Sequence, residues 1–219
     1  MTSRPLLLGH RGASRYAPEN TFAAFDLALE HGCDGFEFDV RYTSDARAVV
    51  CHDPQVRGIK IESSAYSNLI GQDGVSLACA DDVIRHYGPR AFLDIELKVA
   101  GEIGPILAAL GDAPRADSFV ISSFLPELLD SVYARIQGIP LGLICENGVQ
   151  LRRWSTLPVS FVMLHHKLAS PALISELHAA KKRTFVWTVN EENEMRRFAE
   201  LGADGLISDD THLLAQAFS

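Results

Sequence analysis

Leu29-Glu30-His31-Gly32-Cys33-Asp34-Gly35 leads out of a helical pattern, through a glycine stop, into an apolar run. Ala199-Glu200-Leu201-Gly202-Ala203-Asp204-Gly205 repeats this near the other end of the chain. Both stretches read as helix, glycine cap, tight turn and strand. An αβ joint used twice implies parallel strands covered by helices. Between the joints the alternation continues. Strand candidates are 6–9, 35–40, 48–52, 91–97, 119–122, 140–145, 161–164, 184–189 and 205–208. Most are β-branched or aromatic and flanked by Gly, Pro or Asp, as buried strands are. Helix candidates are 21–31, 81–87, 103–110, 126–136, 171–181, 191–201 and 211–218. In the first of these, Asn20 is the expected N-cap, Phe22, Phe25 and Leu29 share a face, and Gly32 is the stop. About eight strand–helix units in one domain of 219 residues, spanning 1–219, favour a closed (β/α)8 barrel over an open sheet.

Two features mark the barrel as distorted. Nine strand candidates are one too many for eight, so one lies outside the ring or is not a strand. Only residues 41–47 separate the second and third candidates, fewer than the dozen or so a helical crossover needs. A bare loop is expected there. Residues 55–76 carry Gly58, Ser63-Ser64, Gly71, Asp73 and Gly74 and have no regular period. They form a short insertion after the third strand, expected to cap the chemical end of the barrel.

The chain is 47% hydrophobic and 22% charged, which suits a large core in a globular protein. A formal net charge of -8 argues against a nucleic-acid surface. Any phosphate site must then be a local positive pocket in a negative field. The apolar N-terminal stretch is too short for a signal peptide and is interrupted by His10-Arg11. No stretch approaches the roughly 18 apolar residues of a membrane span, so no stable membrane insertion is expected. Cys33, Cys51, Cys79 and Cys145 form no C-x-x-C pair, which speaks against a zinc or redox motif. Reduced thiols in a cytoplasmic protein are the expectation. Nothing in the sequence sets the oligomeric state.

The strand ends carry the chemistry: His10-Arg11, Glu37-Phe38-Asp39, His52-Asp53 and Glu96-Leu97-Lys98. Residues i and i+2 of a strand share a face, so Glu37 and Asp39 point the same way, roughly 7 Å apart at the backbone. Like charges so placed call for a cation between them. Three carboxylates without clustered cysteine or histidine make a hard oxygen site suited to Mg²⁺ or Ca²⁺. In barrel enzymes the active site lies at the C-terminal ends of the strands. A phosphodiester suits this set. The metal would neutralise phosphoryl charge, Arg11 and Lys98 would hold non-bridging oxygens, and His10 and His52 would serve as base and acid. Singly, each feature has a plainer reading: a buried network for Glu37-x-Asp39, a cross-strand ion pair for Glu96-x-Lys98, a turn for Asp53-Pro54. His31, His86, His178 and His212 read as solvated, and His165-His166 as structural. Together the strand-end residues outweigh those readings, because one pocket can assemble them all.

The sequence resembles the glycerophosphodiester phosphodiesterases. The resemblance rests on His10-Arg11-Gly12, Pro18-Glu19-Asn20-Thr21, Glu37-x-Asp39-Val40-x-x-Thr43-x-Asp45, Val49-Val50-x-His52-Asp53 and Glu96-x-Lys98. It continues through Ile121-Ser122-Ser123-Phe124, Val186-Trp187-Thr188-Val189-Asn190 and Gly202-x-Asp204-Gly205-Leu206-Ile207-Ser208-Asp209. It implies a distorted (β/α)8 barrel and divalent-metal-dependent hydrolysis of a small-molecule glycerophosphodiester to sn-glycerol 3-phosphate and an alcohol. It also implies metal binding by Glu37, Asp39 and Glu96, acid–base catalysis by His10 and His52, and phosphate contact by Arg11 and Lys98. Trp187 falls where an aromatic lines the substrate groove, and Glu19 and Asn20 fall at supporting positions. Two departures stand out. The family's Arg-Thr-Thr element and longer insertion after His52-Asp53 are reduced here, and 43–46 lacks the family's usual turn glycine. The same core resembles phospholipase-D-like toxins that act on lysolipids or sphingolipids, a rival substrate class. A barrel that binds a phosphorylated ligand without turning it over is a rival of another kind.

Overall fold

The computed structural model describes residues 4–70, 77–111 and 118–219. Strand β1 (Leu6–Gly9) is followed by helix α1 (Phe22–Glu30), then β2 (Gly35–Tyr42) and β3 (Ala48–Val50). A two-stranded hairpin, β4 (Gln55–Val56) and β5 (Ile59–Lys60), and a 3₁₀ turn at Tyr66–Leu69 come next. From there strand and helix alternate strictly: α2 (Ala80–Tyr87), β6 (Phe92–Leu97), α3 (Gly104–Gly111), β7 (Phe119–Ser123), α4 (Pro126–Arg135), β8 (Leu141–Cys145) and α5 (Gly148–Leu151). The chain ends with β9 (Phe161–His165), α6 (Pro171–Ala179), β10 (Arg183–Trp187), α7 (Glu192–Glu200), β11 (Gly205–Ser208) and α8 (Thr211–Gln216).

The sheet runs in the order β1-β11-β10-β9-β8-β7-β6-β2, and β1 pairs with β2 to close the ring. All eight of these strands are parallel. The expected (β/α)8 barrel is therefore present, and the surplus strand is β3, antiparallel to β2 outside the ring with Val40 opposite Val50. As the short spacing required, the β2–β3 connection is a loop. The expected 55–76 insertion is the hairpin and 3₁₀ turn as far as residue 70, and residues 71–76 lie outside the described residues. Val49, Ile61 and Leu69 give that segment a small core of its own.

Two larger cores hold the barrel. Inside it, Leu8, Phe92, Val120, Ile144, Phe161, Met163, Phe185 and Ile207 fill the axis. Outside, the opposite faces of the strands pack on the helices, as alternation dictates, with Phe25 stacked on Phe36 at 4.2 Å between ring centroids. Arg183 closes the N-terminal mouth, its guanidinium 4.8 Å from the Phe161 ring centroid and near Phe92 and Phe185. No helix among the described residues is long and apolar enough to cross a membrane.

Two local expectations need correcting, and one helix is added. Asn20 is not the N-cap of α1; Thr21 is, its hydroxyl accepting from Ala24 N–H at 3.2 Å. Asn20 instead has φ +59 and turns its amide toward the barrel. Helix α5 is too short to show a period in sequence and is set by Asn147, whose side chain accepts from Val149 and Gln150 N–H. Strand β3 stops at Val50, so His52 stands just beyond the sheet, although Cys51 N–H still bonds to Asp39 O at 3.0 Å.

The missing turn glycine also has a structural counterpart. Ala46 N–H closes the turn on Thr43 O at 3.0 Å, and Ala46 takes φ +61, in the left-handed region. A residue with a Cβ costs about 1–2 kcal/mol there, of which a glycine returns about 0.4–1 through a freer unfolded chain. Ala46→Gly is expected to stabilise the protein by about 0.5–1 kcal/mol, read as a higher urea midpoint at unchanged slope. A lower midpoint would show that the turn carries no such strain.

Candidate active site

The site is built on the turn that leaves β1. A Cβ on Gly9 would lie 2.6 Å from Gly12 O, and one on Gly12, at φ +79, would lie 2.7 Å from the Ala24 carbonyl carbon. Only glycine at both positions lets the turn press against α1, where Ala13 N–H bonds to Ala24 O at 2.8 Å. Between them Arg11 takes φ +56, which aims its N–H at Glu37 Oε2 at 2.8 Å. Backbone held in this region persists where surrounding bonds fix it, and it clusters at functional sites.

Glu37 and Asp39 share one face of β2, and the β2–β6 register sets Asp39 beside Glu96. These three residues are 3%, 0% and 6% exposed, so their charges are almost wholly out of water. One oxygen from each lies within 4.8 Å of the others. Lys98 Nζ is 2.9 Å from Asp39 Oδ1 and touches Glu96 Oε1. Arg11 Nε is 3.3 Å from Asp39 Oδ2, which also accepts from Asn20 Nδ2 at 2.7 Å, while Asn20 Oδ1 receives Asp39 N–H. Burial raises the Asp39 carboxyl, but Lys98 and Arg11 outweigh it and hold it below its ordinary range. Glu37 is the reverse: burial, then the charges of Asp39 and Glu96, push it well above. Burial also raises Glu96 against the pull of Lys98. Glu37 Oε1 is buried with no hydrogen-bond partner among the described residues. Among the described residues, the three carboxylates share two cations, Lys98 and Arg11, and one buried oxygen stays unmatched. That donor set, all hard oxygen and short of positive charge, fits a divalent cation.

Each histidine is held through Nδ1. His10 Nδ1 lies 2.6 Å from Asp209 Oδ1. Asn190 Nδ2 donates to Asp209 Oδ2 at 2.7 Å and Ser14 Oγ to Oδ1 at 3.3 Å, while Asn190 Oδ1 takes the Asp209 N–H at 2.9 Å. Burial raises Asp209, but His10 and these hydrogen bonds hold it below the usual carboxylate range. His52 Nδ1 lies 2.8 Å from Asp53 Oδ1, and Arg41 Nε donates to His52 O at 2.9 Å. In both, Nε2 is the ring nitrogen left for chemistry.

These groups open into a cavity of 270 Å³. His10, Arg11, Glu37, His52, Glu96, Lys98 and Trp187 all line it, and Asp39 lies buried beside Glu96. Arg11 also pairs with Glu19, at 3.0 Å. Trp187 is fixed by its Nε1–H, which donates to Met163 O at 3.2 Å. His165 and His166 do not line the cavity; His165 packs edge-on against Trp187, and His166 Nδ1 meets Thr188 O at 3.0 Å.

Sequence reasoning assigned no part to Asp209, Asp94, Phe124 or Glu146. Asp94 is two residues before Glu96 on the same face, and alternation alone could have placed it in the barrel. There it accepts a hydrogen bond from Ser122, and burial pushes its carboxyl up to about 7. Asp209 and Glu146 each follow the last residue of a strand, so the strand-end rule extended to β11 and β8 would have found both.

Comparison with known proteins converges on one family. The profile of the "Glycerophosphoryl diester phosphodiesterase family" matches residues 10–69 and 72–213. A glycerophosphodiester phosphodiesterase of Caldanaerobacter subterraneus subsp. tengcongensis is 28% identical over 240 residues, covering 96% of this chain and 96% of that protein. The crystal structure of a glycerophosphodiester phosphodiesterase from Thermotoga maritima superposes with a TM-score of 0.81 at 25% identity, covering 99% of each chain. An Oleispira antarctica phosphodiesterase, solved with its product sn-glycerol-3-phosphate, has the same fold, with a TM-score of 0.84 at 24% identity over 98% of this chain and 96% of that one.

The exchange of roles between Asn20 and Thr21 can be tested by stability alone. Thr21→Ala removes a helix cap and is expected to cost about 1 kcal/mol. Asn20→Ala strips a buried carboxylate and a buried N–H of partners and is expected to cost about 2–3 kcal/mol in urea unfolding. Equal costs would refute the assignment of Asn20 to Asp39.

Proposed function

The chain belongs to the glycerophosphoryl diester phosphodiesterase family, and from that premise we propose that it hydrolyses glycerophosphodiesters to glycerol 3-phosphate and an alcohol with a divalent cation. The observation that carries the reading is the buried Glu37–Asp39–Glu96 group, with its unpartnered Glu37 oxygen, opening into the cavity that His10 and His52 line.

Glu37, Asp39 and Glu96 would hold Mg²⁺ or Ca²⁺, which supplies positive charge to the phosphoryl oxygens when bound. Arg11 and Lys98 stand at the edge of that group and line the cavity, in position for the non-bridging oxygens. His10 takes the proton of the attacking group at Nε2, and Asp209 stabilises the imidazolium this creates. The new P–O bond forms as the P–O bond to the alcohol breaks, and His52 gives its Nε2 proton to the departing oxygen. The attacker is water, or the neighbouring hydroxyl of the glycerol arm through a cyclic phosphate that water then opens. Trp187 lines the wall on the far side of the cavity.

Release of glycerol 3-phosphate from glycerophosphocholine is the direct test. EDTA should abolish it and added Mg²⁺ or Ca²⁺ restore it. His10→Ala and His52→Ala should each lower kcat by roughly 10² to 10⁴. Asp209→Asn, which keeps the size but not the charge beside His10, should cost about 10²-fold in kcat with little change in KM. No release with either metal, or full turnover in both histidine variants, would overturn the mechanism.

A further inference from the structure

The cavity has two unlike halves. Its polar half comes from β1, β2, β6 and the segment after β3, and carries the carboxylates, Arg11, Lys98 and both histidines. Its other half comes from β8 to β11 and the residue after β7, and consists of Phe124, Ile144, Met163, Trp187 and Ile207, with a single charge, Glu146. Phe124 and Trp187 meet edge to face at 5.5 Å between centroids. Glu146 is exposed, and among the described residues its carboxylate has no ion pair or hydrogen bond, its electrostatic neighbour being His165. Its backbone is pinned, since Glu146 N–H donates to Gln150 Oε1 at 2.9 Å. The lip of the apolar half thus presents one unpaired anion, on a pinned backbone and within electrostatic reach of His165, beside aromatic walls.

A diester seated with its phosphate in the polar half must send one arm toward this wall. A glycerol arm offers only hydroxyls, which apolar and aromatic surface does not match. An alkylammonium arm matches both features: its methyl or methylene groups suit the rings, and its charge suits a ring face and a carboxylate. We propose that Glu146, with Trp187 and Phe124, selects diesters whose alcohol carries an ammonium group. The assignment rests on the phosphodiesterase reading above. The overall charge of -8 works in the same direction, since a zwitterionic diester meets less repulsion than an anionic one.

The test is the ratio of kcat/KM for glycerophosphocholine to kcat/KM for glycerophosphoglycerol, whose head group is uncharged. Glu146→Gln should lower that ratio by about 3- to 30-fold, mainly through KM for the choline diester. Glu146→Lys should lower it further. Choline alone should compete with glycerophosphocholine in the wild type and lose that competition in Glu146→Gln, and the wild-type preference should fade as salt rises. An unchanged ratio in both variants, with both diesters hydrolysed, overturns the role of Glu146 and leaves the phosphodiesterase reading standing. Hydrolysis of neither diester by the wild type overturns that reading and this one with it.

Discussion

The burial of three carboxylates at the junction of β2 and β6 is the constraint around which the rest of this protein is arranged. The register that pairs Asp39 with Glu96 puts like charges side by side at almost zero exposure. Charge so concentrated cannot be left uncompensated in a low-dielectric interior. Each neighbouring feature is a response to it. Lys98, two residues beyond Glu96 on the same face, brings an ammonium to both acids. The β1 turn brings the Arg11 N–H to Glu37 and its guanidinium to Asp39. Asn20 binds Asp39 through both its amide oxygen and its amide nitrogen. These contacts come from separate segments, and those of Arg11 and Asn20 rest on uncommon backbone: φ +56 at Arg11, φ +79 at the adjoining Gly12 and φ +59 at Asn20.

That dependence explains why the β1 turn is so closely specified. Glycine is required twice, once because a side chain would strike the turn itself and once because it would strike α1. Packing against α1 in turn fixes where 18–21 passes, and so where Asn20 meets Asp39. A helix that covers the barrel in any α/β protein here also anchors the turn that completes the site. The site and the fold draw on the same contacts.

What could be read from sequence follows from the range of each interaction. The barrel was legible because alternation, glycine stops and strand-end polarity are local signals, repeated along the chain. A surplus strand was legible from the count of nine, and the bare loop between the second and third from the seven residues of 41–47, a matter of reach. The carboxylate triad was legible because two of its members share a strand face. The Asp209–His10 pair was not, since its partners are 199 residues apart and meet only because β1 and β11 are neighbours when the ring closes. Asn20 and Thr21 misled for a different reason. Either can cap a helix, and propensity cannot tell which of two adjacent residues does so when one is claimed by a distant carboxylate. Helix α5 escaped because four residues are too few to carry a period.

The two halves of the cavity also divide along the chain. Residues through Lys98 furnish the carboxylates, cations and histidines of one half, while residues from Phe124 onward furnish the opposite wall. Asp209 crosses that division, reaching back to hold His10 from the last strand. A barrel permits this because strands distant in sequence point their ends at one mouth, each ending in a loop that can change without moving its neighbours. Chemistry held by a buried charge network resists change, since altering any one of its members leaves an unpaired charge behind. A wall of side chains with one unpaired carboxylate at its lip resists far less. On the proposed reading, substrate choice is free to drift on the β7-to-β11 side while hydrolysis stays fixed on the β1–β2–β6 side.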